Sequence, residues 1–111
     1  MCVAFVTHTI HQYFKIMKKL ENPKWEECRN YLRNTILPRL QEIQRDLFGD
    51  EFLVPVVSVG RNGEYVSAHI SVMKDTKVLN SVYQHFCFCD SREKIDSQYA
   101  QLTEFIEKYK A

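Results

Sequence analysis

Histidine and cysteine come closest together in the run His85–Cys89, which reads His-Phe-Cys-Phe-Cys. Imidazole and thiolate are the usual ligands of Zn²⁺, so a zinc site is the first chemistry to consider. Residues four apart on an extended strand are about 13 Å apart at roughly 3.3 Å per residue, too far to share one tetrahedral ion. Because no second Cys or His pair has a zinc-site spacing, we expect neither a metal nor another cofactor. The weak candidate ligands are His69, His85, Cys87 and Cys89.

A Cys–His nucleophile pair would have to join Cys87 to His85 or His69. Reactive cysteines lie at helix N-termini or beside cations, and a strand offers neither. The four cysteines do not have the spacing of a secreted disulfide framework, so free thiols are expected. No Gly-rich phosphate loop, Gly-x-Ser-x-Gly turn or paired-carboxylate motif occurs. The sequence therefore predicts a protein that is not an enzyme, with no catalytic residues.

Helical periodicity predicts three helices around the strands that carry these residues. Apolar residues spaced three and four apart place a first helix over residues 3–20. Asn22 and Pro23 are expected to cap and open a second helix that ends near Gly49, with a kink or break at Pro38. A last helix is expected after Asp90 and Ser91, either of which can cap it, and its apolar stripe is Ile95, Tyr99, Leu102, Ile106 and Tyr109.

From residue 52 the apolar period changes to two, which predicts strands. Residues 52–59 and 65–73 flank Asn62-Gly63, a pair typical of a type I′ hairpin turn. Pro55 has no N–H, which places the first strand at a sheet edge. With residue 61 opposite residue 64, the pairs on the core face are Val59/Val66, Val57/Ala68, Pro55/Ile70 and Leu53/Val72.

A third strand is expected over residues 82–89, after a polar connector at 74–81, with Phe86 and Phe88 pointing to the core. The element order is then α-α-β-β-β-α. These elements predict a two-layer α+β fold in which a three-stranded antiparallel meander packs against helices. A chain of 111 residues is expected to form a single domain over residues 1–111.

The second face of the sheet is the strongest candidate for a functional surface. No charged residue lies in residues 52–59, 67–73 or 83–89, whereas a solvated face favours Lys, Glu and Thr. Such a face needs a cover: one of the chain's own helices, another protein or a second copy of the chain, or a small ligand. The residues expected to bind a partner are Phe52, Val54, Val56, His69, Met73, Tyr83 and His85.

This face predicts a non-enzymatic protein-binding module that inhibits, neutralises or regulates another protein, as an immunity or inhibitor protein does. A homodimer formed through the same face is also expected. A small-ligand or metal site on the face is the third alternative.

The runner-up function is nucleic-acid binding through a basic corner between the first two helices. Glu21, Glu26 and Glu27 interleave with the cations there and lower the local field, so this function is not favoured. The cations of the basic corner are Lys15, Lys18, Lys19, Lys24, Arg29 and Arg33.

Charge and hydropathy restrict the remaining classes. Fifteen Lys and Arg against fourteen Asp and Glu give a net charge of +1, unlike a dedicated DNA-packaging protein. No apolar stretch approaches the roughly 18 residues that span a bilayer, so no membrane partner is expected. The first ten residues lack a cationic leader, and a cytoplasmic protein is predicted.

Overall fold

The structure, a computed structural model, describes Met17 and residues 22–110. The helices are α1 (Trp25–Tyr31), α2 (Leu37–Asp46) and α3 (Arg92–Tyr109). The strands are β1 (Leu53–Gly60), β2 (Tyr65–Lys74) and β3 (Lys77–Cys87). A π-helical turn, Leu32–Ile36, joins α1 to α2, and a 3-10 turn, Arg61–Gly63, joins β1 to β2. The predicted first helix lies outside the described residues except for Met17, which is helical.

The predicted second helix is a run of three consecutive helical segments. The irregularity expected at Pro38 is the π-helical turn directly before it, and not a break in the chain. A π turn alters the i−4 hydrogen-bond ladder locally, which suits a following residue that has no N–H. The apolar stripe continues through all three segments and is buried at Cys28, Leu32, Ile36, Leu40 and Leu47.

The sequence predicted that Asn22 caps this helix, but α1 begins three residues later, at Trp25, and Asn22 is not its N-cap. Asn22 Oδ1 instead accepts the N–H of Lys24 at 3.0 Å in a side-chain turn. Asn22 Nδ2 donates to the carbonyl oxygens of Phe88 at 3.2 Å and Asp90 at 3.1 Å. The residue therefore ties the start of the helices to the chain that leaves β3.

The sheet confirms the predicted hairpin register between the first two strands. Val59 pairs with Val66, and Leu53 pairs with Val72. The strand order is β1-β2-β3, so Pro55 lies in an edge strand as expected. All pairs are antiparallel, and the predicted three-stranded meander is confirmed.

The turn between β1 and β2 differs in detail from the predicted type I′ turn. The N–H of Glu64 donates to the carbonyl of Arg61 at 3.2 Å and closes the turn around Asn62-Gly63. Positive φ values occur at Arg61 (50°), which lies outside the central pair, and at Gly63 (89°). Since the strand pairs are unchanged, this local difference does not shift the register.

The third strand was predicted wrongly at both ends. Residues 74–81 are not a connector: β2 runs to Lys74, β3 starts at Lys77, and Asp75 and Thr76 alone form the turn. Both turn residues have positive φ, 52° and 65°, a conformation that the sequence does not announce because neither is glycine. The pairing of β2 with β3 shifts by one residue between Val72 and Met73. At the other end β3 stops at Cys87, two residues before the predicted end.

The helices pack on one face of the sheet and form a two-layer α+β fold. α2 contacts β1, and α3 contacts β2 and β3. Phe86 and Phe88 are fully buried in the core, as predicted, although Phe88 lies beyond the end of β3. The N-cap of α3 is Ser91, whose side chain accepts the N–H of Lys94 at 3.2 Å.

Gly63 provides a test of the hairpin turn. Its φ is +89°, and an added Cβ would lie 3.2 to 3.3 Å from side-chain atoms of Arg33. We expect Gly63→Ala to lower the free energy of unfolding by about 1–2 kcal/mol, because the left-handed backbone and the close contact both oppose a side chain. The measurement is the urea midpoint.

The matched control is Gly60→Ala at the other end of the same turn. Gly60 has an extended φ of −116°, and its nearest contact would be an ordinary 3.6 Å. This variant is expected to keep the wild-type midpoint within a few tenths of a kcal/mol. Equal losses in the two variants would contradict the role given to Gly63.

The side chain of Asp50 accepts backbone hydrogen bonds at the start of β1. Its Oδ1 accepts the N–H groups of Leu53 and Phe52, each at 2.9 Å. These two hydrogen bonds, first that of Leu53, hold the pKa of the Asp50 carboxyl below its ordinary value. The carboxylate therefore adds stability above its unfolded-state pKa of about 3.9, and this contribution is lost as the pH falls through the lower folded-state pKa.

We expect Asp50→Ala to be less stable than wild type at pH 7, by an amount that shrinks at pH 3 and vanishes in stronger acid. Urea unfolding at both pH values measures the difference. Glu51→Ala, which removes the adjacent exposed carboxylate, is the control and is expected to show no such trend. A deficit of Asp50→Ala that stays constant with pH would contradict the argument.

Candidate functional site

The face of the sheet turned away from the helices, called the open face below, carries all seven residues predicted to bind a partner. Val54, Val56 and Tyr83 keep 41, 52 and 59% of their surface exposed. His69 and His85 are also exposed, Met73 is half-buried, and Phe52 precedes β1 with 43% exposed. The structure therefore brings these residues onto one accessible surface.

A row of side chains crosses the middle of the open face. Val56 pairs with His69, which pairs in turn with Tyr83, so one residue from each strand lies in the row. The rings of His69 and Tyr83 make an edge contact with centroids 6.1 Å apart. Towards the hairpin turn, His85 stacks on Tyr65 at 5.7 Å. The result is a surface of aromatic and aliphatic groups with a histidine at its centre.

None of the described helices crosses onto the open face. Valine at position 56 is half exposed, whereas Ile70 and Ala68 on the opposite face of the sheet are 2% exposed. The difference arises because α2 and α3 both contact the sheet from the Ile70 side. Within residues 22–110, the alternative in which one of the chain's own helices covers this face is not observed.

The β1 edge of the sheet is poorly suited to pairing with another strand. The N–H of Leu53, which points away from β2, donates to Asp50 Oδ1 at 2.9 Å. Pro55, the next residue whose backbone points outwards, has no N–H at all. A strand added to this edge would therefore find acceptors but few donors over the first half of β1.

The β3 edge is occupied at two points. Asn80 Oδ1 accepts the N–H of Ser81 at 2.9 Å, and Gln98 Nε2 donates to the carbonyl of His85 at 2.9 Å. These bonds show that the Ser81 N–H and the His85 carbonyl point away from β2, and only Tyr83 lies between the two points with its backbone directed the same way. The first half of β1 and two positions of β3 are thus protected against strand addition.

A ligand site on the open face has little support. The depression there, between Gly60, Tyr65 and His85, has a volume of about 270 Å³, just below the range of typical small-molecule pockets. Among the residues that the structure describes, no group of three or more His, Cys, Asp or Glu side chains is placed to hold a metal ion. Cys87 and Cys89, two of the four weak metal candidates, are bonded to each other.

The cysteines of β3 correct the expectation of free thiols. Cys87 and Cys89 form a disulfide, with Cα atoms 5.2 Å apart. The sequence suggested a strand to residue 89, in which both thiols would lie on the open face. The strand instead ends at Cys87, which is 6% exposed, and the chain turns so that the two sulfurs meet. Cys28, a free thiol, is buried in the core.

The described members of the basic corner have different surroundings. Lys15, Lys18 and Lys19 lie outside the described residues, and Lys24 is exposed before α1. The guanidinium of Arg29 lies 5.2 Å from the ring centroid of Trp25. The Arg33 side chain packs against Gly63 in the hairpin turn.

Sequence reasoning missed one part of the open face. Val78 pairs with Met73 across the register shift and is 58% exposed, and its neighbour Leu79 is 62% exposed. Both fell in the stretch interpreted as a connector. The only signal of a strand there was the β-branched Val78 beside the apolar Leu79, in the sequence Lys-Val-Leu-Asn at residues 77–80.

Comparison of the chain with protein-family models, curated proteins and solved structures finds no match. In the part of the chain that the structure describes, no helix is both long and apolar enough to cross a membrane. The candidate site therefore has to be interpreted from its own geometry.

Glu26 and Glu27, which lie between Lys24 and Arg29 in the sequence, lead to a prediction about nucleic acid. We expect the protein to give no salt-dependent shift of duplex DNA in a gel, and Lys24→Glu plus Arg29→Glu to behave as wild type. A complex whose affinity falls by orders of magnitude between about 50 and 200 mM salt, and which this double variant loses, would contradict the prediction.

Proposed function

We propose that the protein is a small non-enzymatic protein-binding module that inhibits, neutralises or regulates a partner protein, and that the open face is its contact surface. The observation that carries the proposal is the exposed row Val56–His69–Tyr83 on a sheet face without a charged residue. Exposed apolar patches bordered by polar groups mark protein interaction sites in soluble proteins. The cytoplasmic location stays a prediction.

The protected edges favour a partner that docks flat on the sheet. Asp50 and Pro55 limit pairing at β1, and Asn80 and Gln98 limit it at β3. Aromatic residues are enriched at protein interfaces, and Tyr83 is the most exposed aromatic side chain on the open face. Serines and histidine beside it suit an interface that is partly hydrated, because each hydroxyl can bond across the contact or to trapped water.

The occupant that the composition favours first is a second copy of the chain. A two-fold contact places each group close to its own symmetry mate, so a strongly charged face would repel its copy. The open face has no Asp, Glu, Lys or Arg in residues 52–59, 67–73 or 83–87, and this repulsion is absent. Burial of roughly 800 Å² per subunit is the usual size of such an interface.

The test compares two valines of β1 that lie on opposite faces of the sheet. Val56, on the open face, is 52% exposed, and Val59, on the helix side, is 49% exposed. We expect wild type to be a dimer and Val56→Glu a folded monomer, since a carboxylate without a partner in the contact weakens association by about a hundredfold or more. Val59→Glu, the matched control, is expected to stay dimeric. Light scattering after size exclusion gives the masses, and circular dichroism reports folding.

Three results would contradict the proposal of a second copy. The first is a wild-type mass near 13.2 kDa at high micromolar concentration. The second is equal dissociation by both glutamates. The third is a Val56→Glu chain that fails to fold while Val59→Glu folds, which would show that the open face is packed against the chain's own residues.

A further inference from the structure

The Cys87–Cys89 disulfide does not connect separate parts of the fold. Its two cysteines are separated by one residue, so the loop that it closes is minimal. The stabilisation that a disulfide gives through the unfolded chain increases with the length of the loop it closes, so it is least for such a small ring. A structural role would require the bond to hold elements together, and this one joins the end of β3 to the next turn.

The end of β3 is held by other bonds. The N–H of Phe88 donates to the carbonyl of Glu64 at 3.0 Å, and the N–H of Asp90 donates to the carbonyl of Cys87 at 3.0 Å. Asn22 Nδ2 donates to the carbonyls of Phe88 and Asp90, and the Phe88 ring is fully buried. The local chain path therefore has support that does not depend on the sulfur–sulfur bond.

The two sulfurs differ in access. Cys87 is 6% exposed, whereas Cys89 is half-buried in the turn, so an incoming thiol reaches Cys89 first. The N–H of Cys89 points to Cys87 Sγ at 3.3 Å. A hydrogen bond of this kind favours the thiolate that would remain on Cys87 when the disulfide opens.

The pair also lies at the start of a long helix. Cys89 is two residues before Ser91, the N-cap of the 18-residue α3. The positive end of a helix dipole favours a nearby thiolate. Arg92, Glu93 and Lys94 stand in the first turn, and Lys94 Nζ pairs with Asp90 Oδ1 at 3.1 Å. These surroundings were not expected for cysteines within a strand, which the sequence predicted to continue to residue 89.

We propose that Cys87 and Cys89 form a reversible thiol–disulfide exchange site for a low-molecular-weight thiol of the glutathione class. A thiolate of the small molecule attacks Cys89 Sγ, the Cys87–Cys89 bond breaks, and Cys87 leaves as the thiolate and takes up a proton. A second small thiolate attacks the outer sulfur of the mixed disulfide and releases Cys89 as a thiolate, which is protonated in turn. Two thiols are oxidised to one disulfide, and the protein disulfide gains the two electrons.

The first experiment uses the full chain and counts thiols by alkylation and mass spectrometry. The oxidised protein, alkylated after denaturation without reductant, is expected to carry two labels on its four cysteines. Treatment of the folded protein with reduced glutathione before alkylation is expected to raise the count to four, while the circular dichroism spectrum stays native. Glutathione disulfide added afterwards is expected to return the count to two.

The second experiment separates the two sulfurs with glutathione disulfide as the probe. Cys87→Ala keeps Cys89 and is expected to form the mixed disulfide at least about tenfold faster than Cys89→Ala, whose remaining Cys87 is buried. Cys28→Ala is the matched control, because it removes a buried cysteine outside the disulfide and should leave the exchange unchanged.

Several results would overturn the proposal: four labels before reduction, loss of native structure on reduction, or a bond that glutathione opens only after denaturation. Preferential capture of Cys87 would overturn the assignment of Cys89 as the attacked sulfur. If either alanine variant fails to fold, mapping the mixed disulfide formed on wild-type protein decides between the two sulfurs. None of these readouts depends on the protein-binding function, so the two proposals can fail separately.

Discussion

The antiparallel register of β1 and β2 is the constraint on which the rest of the structure depends. Side chains alternate between the faces of a strand, so a slip of one residue would exchange the two faces completely. In the observed register, Leu53, Val66, Ile70 and Val72 lie under the helices and are buried. The same register places Val56 and His69 on the opposite side. Core and open face are therefore two consequences of one pairing.

The helical layer is shaped to cover only one of these faces. The stripe Cys28–Leu47 packs towards the sheet from one side, and α3 adds Ile95, Leu102 and Ile106 to the same core. Contacts outside the core hold the layer together. The Tyr31 hydroxyl donates to Asp96, and the Arg92 guanidinium lies 4.0 Å from the Tyr31 ring centroid. Burial, with the Asp96 contact, raises the pKa of Tyr31, so the neutral hydroxyl stays the donor at physiological pH.

Partial protection of the two sheet edges reduces the number of positions at which this three-stranded sheet can pair with another strand. Proline and side-chain caps satisfy or remove the outward backbone groups at several positions. In the proposed function, association uses the open face, where side chains and not backbone ladders determine the partner. Selectivity would then depend on a few groups such as Tyr83 and His69, whose rings are already in contact.

The sequence by itself determined the α+β class, the β1–β2 register, the edge position of Pro55 and the placement of Val56, His69 and Tyr83 on the open face. These features follow from short-range patterns: a period of two, an Asn-Gly turn and helical stripes. It did not determine the β2–β3 turn, because Asp75 and Thr76 adopt positive φ without the glycine that usually signals it.

Only the tertiary structure decided the contacts of the remaining candidate residues, Arg33, Cys87 and Cys89. Arg33 lies against Gly63 because the hairpin turn packs on the π-helical turn Leu32–Ile36, a contact between residues thirty positions apart that no local pattern contains. The Cys87–Cys89 bond arose because the chain must leave the sheet to start α3, which ends β3 early and turns the second sulfur back on the first. Periodicity describes residues within one element, whereas these outcomes depend on where one element stops and another meets it.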